Sequence, residues 1–292
     1  MANTKRRLSE SERAERRRAD RERLACAAEQ LLSSEGWQRW VRVRSQAGLA
    51  RLSLSNQLLV ALARPDATFV AGFNGWLRLG YCVKKGERAI AIIAPLPVKE
   101  RDRVSGNETG ETVMLFKTVF VFDRLQVAAI EGAEQAPLGP PCEPLTGDSH
   151  RHLIAPLRAF AASLGFTVSF ESIDGSAGGW CDSKNKRIVV DAGLPGNAQL
   201  RVLIHETIHG LGVGYADYGR ERAEVIVDTA THLVCSSVGL LVDGETVAYV
   251  AGWGEDGALA AVTEFARTID ELARRVEDVL AADTGSPAAV AA

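Results

Sequence analysis

The feature that most constrains this chain of 292 residues is an apolar run over residues 201–210 that contains the pattern His-Glu-x-x-His. Residues four apart lie on one face of an α-helix, so His205 and His209 can direct two imidazole nitrogens to one metal ion. Glu206 lies beside them, where a carboxylate can take a proton from a metal-bound water. The pattern predicts a helix and a Zn²⁺ site with Glu206 as general base, which is typical of zincin metallopeptidases.

A third metal ligand is predicted on a second helix, over residues 219–241. Glu224 and Asp228 are four residues apart there and share a helix face. We interpret Glu224 as the third ligand and Asp228 as the acceptor of a hydrogen bond from a metal-binding histidine, whose tautomer it would fix. An acidic helix face in contact with water is the alternative interpretation, and Asp217 and Glu221 remain alternative ligands.

The metzincin pattern, which also begins with His-Glu-x-x-His, fits this sequence only in part. Gly212 stands at its turn position, but Tyr215 occupies the position where a third histidine or an aspartate is required. The sequence therefore favours Glu224 as the ligand.

A short strand is predicted over residues 187–191, after a turn at residues 182–185. Near a metal-binding helix, a strand at the edge of a sheet can pair with an extended peptide. Residues 187–191 are the candidate for such pairing, and an ordinary sheet strand is the equal alternative.

The net charge of −3 conceals an uneven distribution along the chain. Residues 1–130 hold 23 Lys/Arg and 14 Asp/Glu, a net of +9, whereas the remaining residues hold 11 and 23, a net of −12. Such an asymmetry indicates that the first half meets a polyanion, and nucleic acid is the usual one.

Aromatic residues alternate with glycines and cations over residues 72–88. Single-stranded nucleic acid is held by bases that stack on aromatic faces while cations contact the phosphates. A hydrophobic core with a hairpin turn at residues 84–87 is the alternative interpretation. The candidate binding residues in this stretch are Phe73, Trp76, Arg78, Tyr81, Lys84, Lys85 and Arg88.

The five cysteines are scattered without a Cys-x-x-Cys pair, so neither a disulfide framework nor a cysteine-ligated zinc site is predicted. The charged start of the chain does not resemble a signal peptide, and no uncharged apolar run has the length of a bilayer span. We therefore expect a protein of the reducing cytoplasm without a membrane partner. Its oligomeric state is not predicted.

The fold class expected is α+β with two domains. Secondary structure in the first half is predicted as helices over residues 23–40 and 54–63, strands over residues 68–71, 89–94 and 113–122, and a polar loop over residues 99–111. The domain boundaries expected are a charged arm at 1–23, an α+β domain at 24–130, a Pro/Gly-rich linker at 131–149, a metallopeptidase-like domain at 150–282 and a disordered tail at 283–292.

Two sets of residues, in order along the chain, resemble the ArdC-type antirestriction proteins. The N-terminal set is Ser55 to Leu59, Ala71 to Phe73, Trp76, Gly80, Lys85 to Glu87, Ala94, Pro95, Val121 to Asp123 and Gln126. The C-terminal set is Trp180 to Asp191, the His-Glu-x-x-His pattern at 205–209, and Glu224 with Asp228.

This resemblance implies a single-stranded-DNA-binding N-terminal domain, to whose binding residues it adds Asn56, and a C-terminal zincin-like metallopeptidase domain. Proteins of this family are carried on plasmids, integrative elements and phages. The sequence departs from the family in its glycine-rich segment at 210–214 and in Asp228, where glutamate is expected. Three functions therefore stay open, namely an antirestriction protein with an active peptidase, a regulatory protease that cleaves a protein partner, and a DNA-coating protein whose zincin domain is catalytically silent.

Overall fold

The structure is a computed structural model, and it describes residues 9–101, 108–138, 143–175, 177–242 and 259–284. Its helices are α1 Glu10–Glu29, α2 Ser34–Arg44, α3 Leu54–Ala63, α4 Phe73–Arg78, α5 Ile154–Ser163, α6 Gly196–Gly210, α7 Tyr215–Tyr218, α8 Arg220–Ser237 and α9 Leu259–Thr284. Its strands are β1 Val70–Gly72, β2 Tyr81–Val83, β3 Ile90–Arg101, β4 Glu108–Asp123, β5 Val127–Ala129, β6 Glu143–Pro144, β7 Thr167–Glu171, β8 Gly179–Asp182, β9 Arg187–Asp191 and β10 Leu240–Leu241. This mixture of helices and antiparallel and parallel strands is an α+β fold.

Serine caps begin the first three helices. Ser9 forms a capping box with Glu12, Ser33 accepts a hydrogen bond from the Gly36 amide, and Ser53 caps α3. The single helix predicted over residues 23–40 is wrong, because a 3₁₀ turn separates α1 from α2. Gly36 permits the tight turn, since a Cβ there would lie 1.9 Å from the Gln30 carbonyl oxygen. Residues 10–23 of the predicted charged arm form the first part of α1.

A long antiparallel ribbon forms the centre of the N-terminal half. β3 pairs with β4 from Ile90 to Arg101, and β1 pairs with the end of β4. Part of the polar loop predicted over residues 99–111 therefore belongs to these strands, while residues 102–107 lie outside the described part. The turn at 84–87 is not a hairpin, because β2 pairs with β5 rather than with β3.

The C-terminal half packs a three-stranded sheet, in the order β7-β9-β8, against α5 and α6, and α8 lies beside α6. The predicted strand over residues 187–191 is confirmed with the same bounds, but it is the central strand of this sheet. It pairs in parallel with β7 and antiparallel with β8, so its backbone is not free to bind a peptide. The strand at the edge next to α6 is β8.

The two halves share one hydrophobic core. Its buried side chains include Leu31 and Trp40 from the N-terminal helices and Leu203, Ile226 and Ile269 from α6, α8 and α9. The predicted domain boundaries stay a prediction, but the last helix contacts both halves. Within the described residues, no helix has the length and apolar character needed to span a membrane.

Candidate functional site

Helices α6 and α8 lie side by side and carry the predicted metal ligands. One side of α6 is buried in the core through Leu200, Leu203 and Ile204. One side of α8 is buried there through Ala223 and Ile226. Because each helix buries its apolar face, its polar positions are held at fixed places between the helices and the surface.

The structure brings His205, His209 and Glu224 together. Glu224 Oε2 lies 3.5 Å from His205 Nε2 and 3.9 Å from His209 Nε2. One ligand atom from each of the three residues lies within 4.8 Å of the other two, the only such group of three among the described residues. The alternative ligands, Asp217 and Glu221, are outside this group.

The shorter of these distances fits a divalent metal, and the longer one exceeds the expected spacing by a few tenths of an ångström. With bonds of about 2.0–2.2 Å in tetrahedral geometry, two ligand atoms on zinc are separated by roughly 3.3–3.6 Å. Two imidazole nitrogens and one carboxylate oxygen are also a donor set that suits zinc and leaves a position open for water.

A second layer of hydrogen bonds orients both histidines. His205 Nδ1 lies 3.1 Å from Asp228 Oδ1, as the spacing predicted, and His209 Nδ1 lies 2.8 Å from the Val213 carbonyl oxygen. Each Nδ1 therefore carries the proton, and both Nε2 atoms are left to face Glu224. The Val213 contact depends on the turn at Gly212, whose φ of 111° favours glycine.

Tyr215 is a residue that the sequence analysis missed as a contributor to this site. Its hydroxyl donates a hydrogen bond to Glu224 Oε1, and its ring packs edge-on against His209 with centroids 5.6 Å apart. The hydroxyl therefore holds the carboxylate by one oxygen and leaves Oε2 directed at the histidines. The only sequence signal was that Tyr215 follows the metal-binding motif at the third-ligand position of the metzincins.

The surroundings change the proton affinities of the cluster. Burial raises the pKa of Glu206 to about 7, so this carboxyl can take up and release a proton at neutral pH. Burial also lowers the pKa of His209. At His205, burial acts to lower the pKa, but the hydrogen bond to Asp228 and nearby carboxylates outweigh it and raise the pKa.

Strand β8 passes close to Glu206 because its first residue lacks a side chain. A Cβ on Gly179 would lie 2.6 Å from Val202 Cγ1 and 3.5 Å from Glu206 Cγ. Gly179 thus lets the edge of the sheet lie directly against α6, beside the predicted general base.

The residues predicted to contact nucleic acid form an exposed group and a buried group. Phe73, Arg78, Lys84, Lys85 and Arg88 are exposed.

Trp76, Tyr81 and Asn56 are buried and hold the fold, which corrects their predicted role as surface contacts. Trp76 is fully enclosed, packs edge-on against Tyr81, and donates from Nε1 to the Phe122 carbonyl oxygen at 2.8 Å. Asn56 exchanges two hydrogen bonds with the backbone of Ile93. None of the three offers a free face to a base.

Comparisons with known proteins find a family match within the N-terminal half. Residues 28–122 match the family model described as the N-terminal domain of the anti-restriction factor ArdC. A search of curated proteins found no significant match.

Two solved structures of the antirestriction ArdC protein from plasmid R388 are similar to this chain. The metal-free structure has 19% identity and a TM-score of 0.45 and covers 77% of this chain and 82% of its own. The Mn(II)-bound structure has 19% identity and a TM-score of 0.40 and covers 80% and 88%. Residues 28–122 are therefore similar to the N-terminal domain of ArdC-type proteins.

Proposed function

We propose that this chain is an antirestriction-type protein of a mobile element. Its N-terminal half would bind single-stranded DNA, and its C-terminal half would carry a zinc-dependent, peptidase-like site. The observation that carries the second part is the group of His205, His209 and Glu224, with Glu206 beside it.

The DNA-binding part rests on the family match and on charge. The ArdC N-terminal domain model covers residues 28–122, and the first 130 residues carry the positive excess of the chain. Exposed Lys84, Lys85 and Arg88 give this half cations that phosphates can reach.

In the proposed hydrolysis, His205, His209 and Glu224 would bind Zn²⁺ through two Nε2 atoms and Oε2. A zinc ion bound there would polarise a peptide carbonyl and lower the pKa of a bound water. Glu206 would accept a proton from the attacking water and pass it to the leaving amine, and its pKa of about 7 suits both transfers. The outer edge of β8, which pairs with no strand among the described residues, would hold the peptide extended beside Glu206.

The test compares Glu206→Gln with wild type for metal content and for cleavage of an unfolded protein such as casein. Glutamine keeps the shape of the side chain but cannot accept the proton, so zinc should be retained while cleavage falls by about 10²–10⁴-fold. Glu221→Gln, an exposed carboxylate on the same helix as Glu224, is the matched control and should cleave like wild type. Cleavage by Glu206→Gln at the wild-type rate would overturn the role of Glu206.

A second candidate function is protection of DNA by occupancy alone, with no hydrolysis. The charge asymmetry along the chain favours it. In this case Glu206→Gln would protect an incoming single strand from restriction as well as wild type does. A third candidate, a regulatory protease that cleaves a protein partner, predicts that Glu206→Gln loses its effect in cells while its affinity for DNA is unchanged.

Binding to DNA is tested with the full chain, because α9 packs on the N-terminal helices. Anisotropy of a labelled oligonucleotide, single-stranded against duplex at two salt concentrations, should show a salt-sensitive preference for the single strand. Absence of binding would leave the metal site as the basis of function and the N-terminal half as a protein-recognition domain.

A further inference from the structure

The β3–β4 ribbon exposes aromatic side chains. Three phenylalanines are strongly exposed among the described residues, and all three lie in the N-terminal half: Phe73 at 52%, Phe116 at 70% and Phe120 at 52%. Large exposed aromatics are costly to leave in water, and on a positively charged half they suit a ligand that has both flat rings and phosphates.

Phe116 and Phe120 share one face of β4. Side chains alternate along a strand, so Phe116, Thr118 and Phe120 project to the same side, with the two rings separated by about 13 Å along the strand. Their partners across the ribbon are Pro95 and Ala91, which leave the rings uncovered. Leu115, which lies between Phe116 and Met114, projects to the opposite face.

Helix α1 runs beside this same face. Thr118 Oγ1 donates to Asp20 Oδ2 at 2.7 Å, and Arg23 donates to the carbonyl oxygen of Ala91, the partner of Phe120, at 3.4 Å. Helix α1 and strand β4 therefore run in the same direction. One helical turn back from Asp20 is about 5–6 Å, or about two strand residues, so Arg16 lies level with Phe116.

Cations therefore line one side of the two rings. Arg16 lies close enough to Asp20 for its charge to lower the pKa of that carboxyl. Arg23 forms an ion pair with Asp20. Arg17 is exposed on the same side of α1, because residues 16, 17, 20 and 23 are spaced by three and four. The Asp20–Thr118 hydrogen bond fixes this arginine-bearing side of α1 at the ribbon.

We propose that the face between α1 and β4 is the surface that binds single-stranded DNA, with bases stacked on Phe116 and Phe120 and phosphates held by Arg16, Arg17 and Arg23. This inference rests on the proposed function. It assigns the stacking of bases to two exposed rings instead of to Trp76, which is buried. The two rings are spaced to hold different bases of one strand. The contact does not select sequence, since every base has a flat face.

The test measures the affinity of the full chain for a labelled oligothymidine by fluorescence anisotropy. Phe116→Ser and Phe120→Ser should each weaken binding by about tenfold, the loss expected for one stacked base. Leu115→Ser is the matched control, because Leu115 is 49% exposed on the opposite face of the same strand, and it should bind like wild type. Thermal denaturation checks that each variant is folded.

Two further probes separate stacking from other interactions. Phe116→Leu keeps an apolar side chain without an aromatic face, so it should lose most of the affinity that Phe116→Ser loses. An abasic strand with the same phosphates should bind wild type and Phe116→Ser alike. Arg16→Gln should still weaken binding of the abasic strand, and the salt dependence should decrease by about 0.7 for each phosphate that the variant no longer neutralises.

Each other outcome overturns the inference. If wild type binds the strand and both phenylalanine variants bind it equally well, the surface is elsewhere and the proposed function stands. If wild type does not bind, the proposed function fails and this surface fails with it. If Phe116→Ser changes only the sedimentation of the free protein, the face is an interface between copies of the chain.

Discussion

The cluster of His205, His209 and Glu224 and the proposed DNA surface differ in how their residues are held. The cluster lies on two helices whose other faces are buried, and each of its three residues has a hydrogen-bond partner of its own, such as Asp228 for His205 and Tyr215 for Glu224. The proposed DNA surface consists of exposed side chains on a ribbon and a helix. A pre-organised cluster should therefore respond strongly to single substitutions, whereas the DNA surface should respond in small, separate steps.

The largest effect is expected where α2 of the N-terminal half meets α9 of the C-terminal half. Arg44 is fully buried and binds Asp270 and Glu277 of α9, with bonds of 2.8 and 2.9 Å to Glu277. Arg44→Ala leaves the Glu277 carboxylate buried without its cation, so the free energy of unfolding should fall by about 3–5 kcal/mol. Urea denaturation followed by fluorescence measures this change.

The matched control is Arg51→Ala, because Arg51 pairs with Asp278 of the same helix at the surface. Exposed pairs contribute about 0–1 kcal/mol, so the control should unfold like wild type. If Arg44→Ala shifts only one of two separate transitions, the halves unfold independently and the shared core does not couple them.

The second largest effect is expected when the hydrogen-bond partner of His205, Asp228, loses its charge. Asp228→Asn weakens the acceptor that fixes the Nδ1 proton, and zinc affinity should fall by about 10–100-fold. Competition with a coloured chelator measures it. Asp217→Asn, an exposed carboxylate outside the cluster, should leave the affinity unchanged, and equal losses in both variants would contradict the role of Asp228.

A smaller effect is expected from Tyr215→Phe, which removes only the hydroxyl that holds Glu224 Oε1. Because Tyr215 is half exposed, water can replace part of this bond, and zinc affinity should fall by about threefold to tenfold. Tyr218→Phe, on the same short helix, is the control. A loss as large as that in Asp228→Asn would mean that Tyr215 does more than orient the carboxylate.

The smallest effect is expected from an exposed cation of the N-terminal half that lies outside the α1–β4 face. Lys85→Gln removes one exposed cation, and the slope of log affinity against log salt should decrease by about 0.7 if this lysine contacts one phosphate. Lys184→Gln, an exposed cation of the C-terminal half, should leave the slope unchanged. A large loss of affinity from Lys85→Gln alone would show that the segment around Lys85, rather than the α1–β4 face, makes the main contact with phosphate.

Local spacing along the sequence was sufficient for much of the C-terminal half. The helix with His205 and His209, the next helix with Glu224 and Asp228, and the strand over residues 187–191 all follow from periodicity and turn residues. Glu224 on the next helix was interpreted as the third ligand from its spacing with Asp228, and α8 does lie beside α6, as consecutive elements usually do. The role of His205 and Glu224 as metal ligands stays a prediction.

Only the tertiary structure decided what lies on the surface and what is covered. The sequence marks Trp76 as aromatic and Asn56 as polar, but their burial depends on strands distant in the chain that pack over them. The central place of β9 likewise depends on β7 and β8 pairing on either side. Long-range contacts of this kind leave no period in the sequence, whereas the i, i+4 spacing of a metal-binding helix does.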